Sequence, residues 1–266
     1  MSRSTSTAFA KARAEGRSAL VGYLPAGFPS VARGIEALKV MVANGCDVIE
    51  VGLPYSDPVM DGPTVQAAAQ QALEAGTRTR DVVRTVEEVA STGVPTLVMT
   101  YWNPVDRYGV DRFAADLTAA GGAGLITPDL VPEEGQDWVR AADQHDLDKV
   151  FLVSPSSTDA RLALTASACR GFVYATAVMG VTGARTESSS LASPLVRRTK
   201  AVTDLPVSVG LGVSNGTQAA ELAREADGVI VGSAFVRCLL DAPDFDAGLA
   251  ALGELTRDLA SGVRGG

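Results

Sequence analysis

Two carboxylates stand in the first quarter of the chain at positions that favour chemistry. Glu50 lies within an apolar run, residues 48–51, and Asp61 follows it after a loop rich in proline and glycine. An ionised carboxylate without a partner in such surroundings costs several kcal/mol. We therefore expect a raised pKa for Glu50 and a role in proton transfer. The alternative is a strand-end glutamate followed by ordinary turn acids, Asp57 and Asp61.

Three glycine-rich turns in the second half of the chain suit the binding of a phosphate group. Glycine lets backbone N–H groups approach a ligand closely, and a helix that begins at such a turn adds partial positive charge. Turns need glycine in any case, but three turns after consecutive apolar runs favour a phosphate-ester ligand. The turns are Gly180-Val181-Thr182-Gly183, Gly210-Leu211-Gly212 and Gly232-Ser233.

Eight short apolar segments, each followed by a helical pattern, must position these groups. The segments cover residues 19–24, 47–51, 95–101, 124–127, 149–153, 172–177, 206–212 and 228–233. They are continuously apolar, as strands buried on both faces are. This alternation predicts an α/β fold, a single (β/α)8 TIM barrel in one domain from 1 to 266. A short extra helix over about 8–16 precedes the barrel, and residues 1–7 are expected to be frayed. An open doubly wound sheet is the structural alternative.

In such a barrel the active site lies where the strands run into the loops that follow them. Glu50 is at the end of the second segment, and Asp61 is in the loop after it. Tyr101 ends the third segment and Tyr174 lies in the sixth. The glycine-rich turns follow segments six, seven and eight, so the acids and the phosphate-binding turns are predicted to share one end.

The composition argues against several classes of protein. A net charge of −8 and a pI near 4.8 disfavour nucleic acid and anionic membranes as partners. Three widely spaced cysteines and a single histidine, His145, indicate neither a disulfide framework nor a metal site, and they fit a reducing cytoplasm. No apolar run approaches the roughly 18 residues of a membrane span, and the N-terminus lacks the pattern of a signal peptide.

From about residue 8 to the end, the chain resembles the α subunit of tryptophan synthase. The run that contains both acids is the most specific part of the match. The matching segments are Glu50-Val51-Gly52-Leu53-Pro54-Tyr55-Ser56-Asp57-Pro58, Asp61-Gly62-Pro63-Thr64-Val65-Gln66, Gly180-Val181-Thr182-Gly183, Gly210-Leu211-Gly212-Val213-Ser214 and Gly232-Ser233-Ala234. The resemblance implies a carbon–carbon lyase of tryptophan biosynthesis. Its reaction is the retro-aldol cleavage of indole-3-glycerol phosphate to indole and glyceraldehyde 3-phosphate, which needs no metal and no organic cofactor.

The resemblance also implies roles for individual residues. Glu50 is the acid–base that serves the cleavage, and Asp61 hydrogen-bonds the indole N–H as positive charge develops there. Tyr174 orients Glu50 or the substrate. The residues implied in substrate binding are Tyr23, Met99, Tyr101 and Ile126 around the indole ring and Thr182, Gly183, Gly210, Gly212, Gly232 and Ser233 near the phosphate. Met99 and Ile126 fit plain barrel core equally well.

By the same resemblance the chain works with a β subunit in an α2β2 hetero-oligomer. Loop two (about 53–60) and loop six (about 182–193) are expected to close the site and face that partner. The positions implied at the interface are Pro54, Ser56, Asp57 and Pro58. Departures from the common pattern at Trp102, Pro128 and Met179 leave the acids intact but bear on the shape of the pocket and on the loop-six contacts.

Other functions stay open on the sequence alone. A stand-alone indole-3-glycerol-phosphate lyase would share every catalytic residue and would not depend on a β subunit. A non-catalytic phosphosugar-binding barrel is a further class, against which the two intact acids argue. A barrel isomerase for a related phosphosugar fits the fold but would not require the loop-two motif.

Overall fold

Parallel strands alternate with helices in residues 3–176, 189–210 and 212–265, which the computed structural model describes. The strands are β1 (Ala19–Pro25), β2 (Val48–Gly52), β3 (Thr96–Met99), β4 (Gly124–Ile126), β5 (Asp148–Val150), β6 (Leu152–Val153), β7 (Val173–Thr176), β8 (Val207–Gly210) and β9 (Gly228–Val231). The helices are α1 (Ser6–Ala14), α2 (Val31–Ala43), α3 (Pro63–Glu74), α4 (Thr79–Ala90), α5 (Trp102–Tyr108), α6 (Val110–Ala119), α7 (Gln136–Gln144), α8 (Asp159–Ala168), α9 (Ser189–Lys200), α10 (Gly216–Ala223), α11 (Ser233–Leu240) and α12 (Phe245–Arg264).

The sheet closes on itself through one broken strand. Neighbouring strands pair in parallel in the order β5-β4-β3-β2-β1-β9-β8-β7-β6. The two ends of this order, β5 and β6, are separated only by Phe151, so they are halves of a single strand. The result is an eight-stranded barrel with helices outside it. The predicted TIM barrel with a short extra N-terminal helix is therefore confirmed.

Alternate side chains of each strand face the barrel interior and the surrounding helices. The interior contains a small apolar cluster, to which the strands contribute Ala19, Val21, Val48, Leu97, Ile126, Val150 and Ile230. A larger cluster packs between the strands and the helices and includes Ile49 and Val51. Glu50 lies between these two outward-facing residues, so its side chain points inward, on the same side of β2 as Val48.

Helix α1 closes the end of the barrel where the strands begin, since Phe9 belongs to the interior cluster. Just before this helix, Thr5 is fully buried. Its backbone N–H and its hydroxyl both donate hydrogen bonds of 2.7 Å to Asp148. The expectation of a frayed start is therefore wrong from Ser4 onward, because Ser4 also donates to Asp148, at 2.8 Å.

Three local features complete the helices. Pro104 lies in the first turn of α5, where proline is tolerated. Helix α7 begins at Gln136. Asn215 caps α10, since its side chain accepts a hydrogen bond from the first turn. Within the described ranges, no helix combines the length and the apolar character needed to cross a membrane.

Candidate active site

Strand β2 carries a buried acid. Glu50 pairs in register with Tyr23 of β1 and Leu97 of β3, and only 1% of the residue is exposed. Neither oxygen of its carboxyl group has a hydrogen-bond partner in the part of the chain that the structure describes. Burial raises the pKa of Glu50 from 4.5 to about 8. Most Glu50 side chains therefore carry a proton at neutral pH.

The second acid lies at the end of the loop that follows β2. Asp61 is half-buried and precedes α3 by one residue, Gly62. Burial raises the pKa of Asp61, while the nearby Tyr101 hydroxyl lowers it, and the net shift is upward. The Gln66 side chain donates to the backbone carbonyl of Asp61 at 2.6 Å, which ties the loop to α3.

Two tyrosine hydroxyls reach the same space as the acids. A Cβ atom at Gly52 would overlap the Tyr23 hydroxyl, and one at Gly210 would overlap the Tyr174 hydroxyl. Glycine at these positions is what leaves room for both rings. Burial raises the pKa of Tyr174, and the charge of Glu50 adds to the effect. Burial also raises the pKa of Tyr23, with added contributions from the charges of Asp61 and Glu50. Both acids therefore lie near Tyr23.

The other three residues expected around the indole ring lie on β3, on β4 and just after β3. Ile126 is completely buried within the interior cluster, and Met99 packs against that cluster while half-buried. Tyr101 is 5% exposed, and its ring lies 5.3 Å from the ring of Tyr55, measured between centroids. These side chains line the same end of the barrel as the two acids.

The late glycines gather at this end of the barrel as well. Gly210 ends β8, and Gly232 caps α11, whose first residue is Ser233. The free N–H groups of a helix start are therefore available beside β9. Gly212 has a φ of +68°, a conformation that favours glycine. The predicted residues Thr182 and Gly183, like most of loop six, lie outside the described residues.

Some residues of loop two are exposed and others are buried. Ser56 and Asp57 are exposed, and the Ser56 hydroxyl donates to the Asp57 carboxylate at 2.6 Å. Pro58 is half-buried and Pro54 is buried. Val59 is 70% exposed, a feature that the sequence reasoning did not single out.

The loops after β3 and β4 add contacts that the sequence reasoning missed. Both carboxylate oxygens of Asp129 accept from the backbone N–H of Trp102, at 2.9 and 3.1 Å, where α5 begins. The Asn103 side chain donates to the Tyr55 hydroxyl at 3.2 Å. No local pattern marks such contacts, because the partners lie far apart in the sequence.

The arrangement suits acid–base chemistry on a small phosphate ester. A protonated carboxyl group, a second carboxylate and two tyrosine hydroxyls surround one space, and a helix start lies at the same end. No group of three or more histidine, cysteine, aspartate or glutamate side chains that could hold a metal ion occurs within residues 3–176, 189–210 and 212–265.

Comparison with known proteins identifies the family. A family model described as the tryptophan synthase alpha chain matches residues 9–263. The chain belongs to this family. The tryptophan synthase alpha chain of Salinispora arenicola is 63% identical over 257 residues, which are 97% of this chain and 96% of that protein. That of Thermobifida fusca is 59% identical over 258 residues, 96% of each chain. A solved structure of Mycobacterium tuberculosis tryptophan synthase has 55% identity and a TM-score of 0.93, with 98% of both chains covered.

Membership of the tryptophan synthase alpha chain family confirms the resemblance seen in the sequence. The protein is a carbon–carbon lyase of tryptophan biosynthesis, and its reaction is the cleavage of indole-3-glycerol phosphate as an alpha subunit. The stand-alone alternative is not favoured. The family relationship implies a β-subunit partner.

Proposed function

We propose that Glu50 performs the proton transfers of the retro-aldol cleavage. The bond between indole C3 and the glycerol chain breaks only when C3 receives a proton and the neighbouring hydroxyl loses one to become an aldehyde. A protonated carboxyl group can deliver the first proton, and the resulting carboxylate can accept the second. The observation that carries this proposal is the buried carboxyl group of Glu50, which has no partner among the described residues and a pKa raised to about 8.

Asp61 stabilises the charge that this protonation creates. Adding a proton at C3 places positive charge on the indole nitrogen, and a carboxylate that accepts a hydrogen bond from the N–H offsets that charge as it develops. The charges of both acids act on Tyr23, which supports a common location around the substrate. Tyr174 orients Glu50 or the substrate, a role supported by the effect of the Glu50 charge on the Tyr174 hydroxyl.

The substrate binds with its ring toward the early strands and its phosphate toward the late ones. The indole-lining residues in this proposal are Tyr23, Met99, Tyr101 and Ile126. The phosphate lies at the start of α11, where free N–H groups and the helix dipole favour an anion. Its binding residues in this proposal are Thr182, Gly183, Gly210, Gly212, Gly232 and Ser233.

The β subunit binds on loop two, in an α2β2 assembly in the cytoplasm. The exposure of Ser56 and Asp57 and of the apolar Val59 supports this surface as the contact. Pro58 lies at its edge, and the buried Pro54 shapes the base of the loop.

The test is indole release from indole-3-glycerol phosphate by the purified chain, first alone and then with a tryptophan synthase β subunit titrated in. We expect slow release that rises strongly and saturates with β. Asp57→Ala should weaken the titration, whereas Glu254→Ala, which changes an exposed residue of α12, should not. Fast indole release that does not change when the β subunit is added would contradict the dependence on a partner. No indole release under either condition would contradict the assigned roles.

A further inference from the structure

The position of the Asp61 carboxylate depends on the main chain that carries it. Asp61 lies in a loop without helix or strand, which runs from the end of β2 at Gly52 to the start of α3 at Pro63. A small rotation of the backbone on either side of Asp61 would swing its short side chain away from a ligand. Groups that hold the main chain before and after Asp61 therefore also hold the second acid.

Two side chains hold this main chain, one on each side of Asp61. Before it, the Tyr101 hydroxyl accepts a hydrogen bond from the backbone N–H of Met60 at 2.9 Å. After it, the Gln66 side chain donates to the backbone carbonyl of Asp61 at 2.6 Å. The short stretch of chain that carries the acid is therefore tied at both ends.

Both of these side chains stand on parts of the fold that are themselves well supported. Tyr101 follows β3, is 5% exposed, and its ring lies 5.3 Å from the ring of Tyr55. Gln66 lies in α3, where its own backbone N–H donates to the carbonyl of Gly62 at 3.0 Å. Pro63 occupies the first turn of this helix and restricts its backbone. The two bonds therefore connect the loop to the end of a strand and to the start of a helix.

A second exposed glutamine of α3 shows a different arrangement. Gln70, one turn further along, donates to the Glu74 carboxylate at 2.8 Å. Side chains four residues apart commonly pair in this way on the surface of a helix. Gln66 instead donates to Asp61, which precedes the helix, so its bond acts on the loop.

We propose that Gln66 and Tyr101 are positioning residues, which hold the main chain on both sides of Asp61 so that its carboxylate faces the indole nitrogen during the cleavage. For Tyr101 this role comes in addition to lining the pocket. The inference rests on the proposed role of Asp61, through which both residues act. A displaced carboxylate stabilises the developing positive charge less well, and the loss falls on the transition state, because the charge is absent from the bound substrate.

The variants Gln66→Ala and Tyr101→Phe each remove one of the two bonds. We expect kcat for indole release, measured with a saturating β subunit, to fall by about 5-fold in each variant, the effect of one hydrogen bond. The KM for indole-3-glycerol phosphate and the inhibition by inorganic phosphate should change little, because the lost interaction is made only in the transition state.

Two matched controls remove comparable bonds elsewhere. Gln70→Ala removes the bond to Glu74 from the same helix. Tyr108→Phe removes a hydroxyl that donates to the Asp116 carboxylate at 2.6 Å. Both controls should keep the kcat of the unmodified protein. Their free energies of unfolding in urea show how much stability the loss of one such bond costs, and Gln66→Ala and Tyr101→Phe should lose no more than that.

Amide hydrogen exchange tests the geometry without reference to activity. The backbone N–H of Met60 should exchange with solvent faster in Tyr101→Phe than in the unmodified protein or in Tyr108→Phe, because it has lost its acceptor. NMR of the ¹⁵N-labelled chain would measure this rate. An unchanged rate would show that the Tyr101 hydroxyl does not hold the loop.

Combination with Asp61→Asn tests whether both residues act through the acid. Adding Gln66→Ala or Tyr101→Phe to Asp61→Asn should lower kcat no further, because the carboxylate that they position is already gone. Losses that add in full to the Asp61→Asn loss would show that the two residues act by another route, and this would contradict the positioning role.

The outcomes separate this inference from the function on which it rests. If Asp61→Asn alone leaves kcat unchanged, the proposed role of Asp61 is wrong. If Asp61→Asn lowers kcat but Gln66→Ala or Tyr101→Phe does not, the role of Asp61 stands and its positioning from both sides is wrong.

Discussion

Two carboxyl groups are buried in the described part of the barrel, one toward each end, and their surroundings are opposite. Asp148, at the start of β5, is 0% exposed and accepts hydrogen bonds from the Ser4 hydroxyl and from the N–H and hydroxyl of Thr5. The Arg170 guanidinium lies 3.6 Å from it. Glu50, 1% exposed on β2, has no such partner among the described residues.

The difference separates a structural acid from the acid that we propose to react. Hydrogen bonds to every side of a buried carboxylate stabilise the fold and leave no oxygen free for a ligand. A buried carboxyl group without partners costs stability, but its proton and lone pairs stay available to a substrate. The end of the barrel where strands begin therefore anchors the N-terminal segment, and the opposite end holds a buried carboxyl group that can donate a proton.

Replacing Glu50, the acid that we propose transfers protons, should have the largest effect. Glu50→Gln keeps the size of the side chain but cannot transfer a proton, so kcat should fall by about 10³-fold or more. Substrate should still bind to this variant, and an equilibrium binding measurement would show this. Glu254→Gln, on the exposed face of α12, is the control. Turnover near that of the unmodified protein would remove Glu50 from the mechanism.

The second acid should matter next most. Asp61→Asn removes the negative charge that we propose faces the indole nitrogen, and we expect kcat for indole-3-glycerol phosphate to fall by about 10²-fold. The affinity for the phosphate group should change little. Steady-state kinetics with inorganic phosphate as a competitor would measure both quantities. A change in phosphate affinity alone would show that the assigned role is wrong.

The structural acid should show the reverse behaviour. Asp148→Asn leaves donors from Thr5 without a charged acceptor, and we expect the free energy of unfolding to fall by about 2–4 kcal/mol. Urea unfolding would measure this loss. Activity per folded molecule should be unchanged, because the site lies at the other end. If Asp148→Asn lost turnover without losing stability, Asp148 would not be a structural acid.

The last predicted effect concerns stability alone and is its dependence on pH. The pKa of Glu50 is about 8 in the folded chain and near 4.5 in an unfolded one. At pH values between these two pKa values, the folded chain therefore keeps a proton on Glu50 that the unfolded chain has lost. The contribution of Glu50 is fully present below pH 4.5 and is lost as the pH rises to about 8, by about 1.4 kcal/mol per pH unit.

Urea unfolding at several pH values within this window would measure the slope. Glu50→Gln should flatten it, whereas Asp148→Asn should keep it at a lower overall stability. An equal slope in the unmodified protein and in Glu50→Gln would contradict the raised pKa.

The parts that the sequence could predict rest on local signals. Continuous apolar segments alternating with helical patterns are enough to indicate a parallel barrel. A single acid within such a segment already indicates a buried carboxyl group, and Glu50 is one. The glycine at 210 indicates a close approach at the end of a strand, and the structure has one there, to the Tyr174 hydroxyl.

The parts that the sequence could not predict depend on partners far along the chain. Tyr101 contacts Met60 across 41 positions, and Asp129 contacts Trp102 across 27. The polar N-terminal segment around Thr5 is predicted to be frayed, because nothing in the local sequence shows that a buried carboxylate 143 positions away accepts its hydrogen bonds.

The most direct test of the account is a titration of the Glu50 carboxyl group in the substrate-free protein. Carboxyl-carbon NMR of the chain labelled with ¹³C-glutamate would follow each glutamate with pH, and the signal missing from Glu50→Gln would identify Glu50. We expect this signal to titrate near 8. A Glu50 signal that titrates near 4.5, like an ordinary glutamate, would contradict the claim that burial keeps its proton ready for transfer.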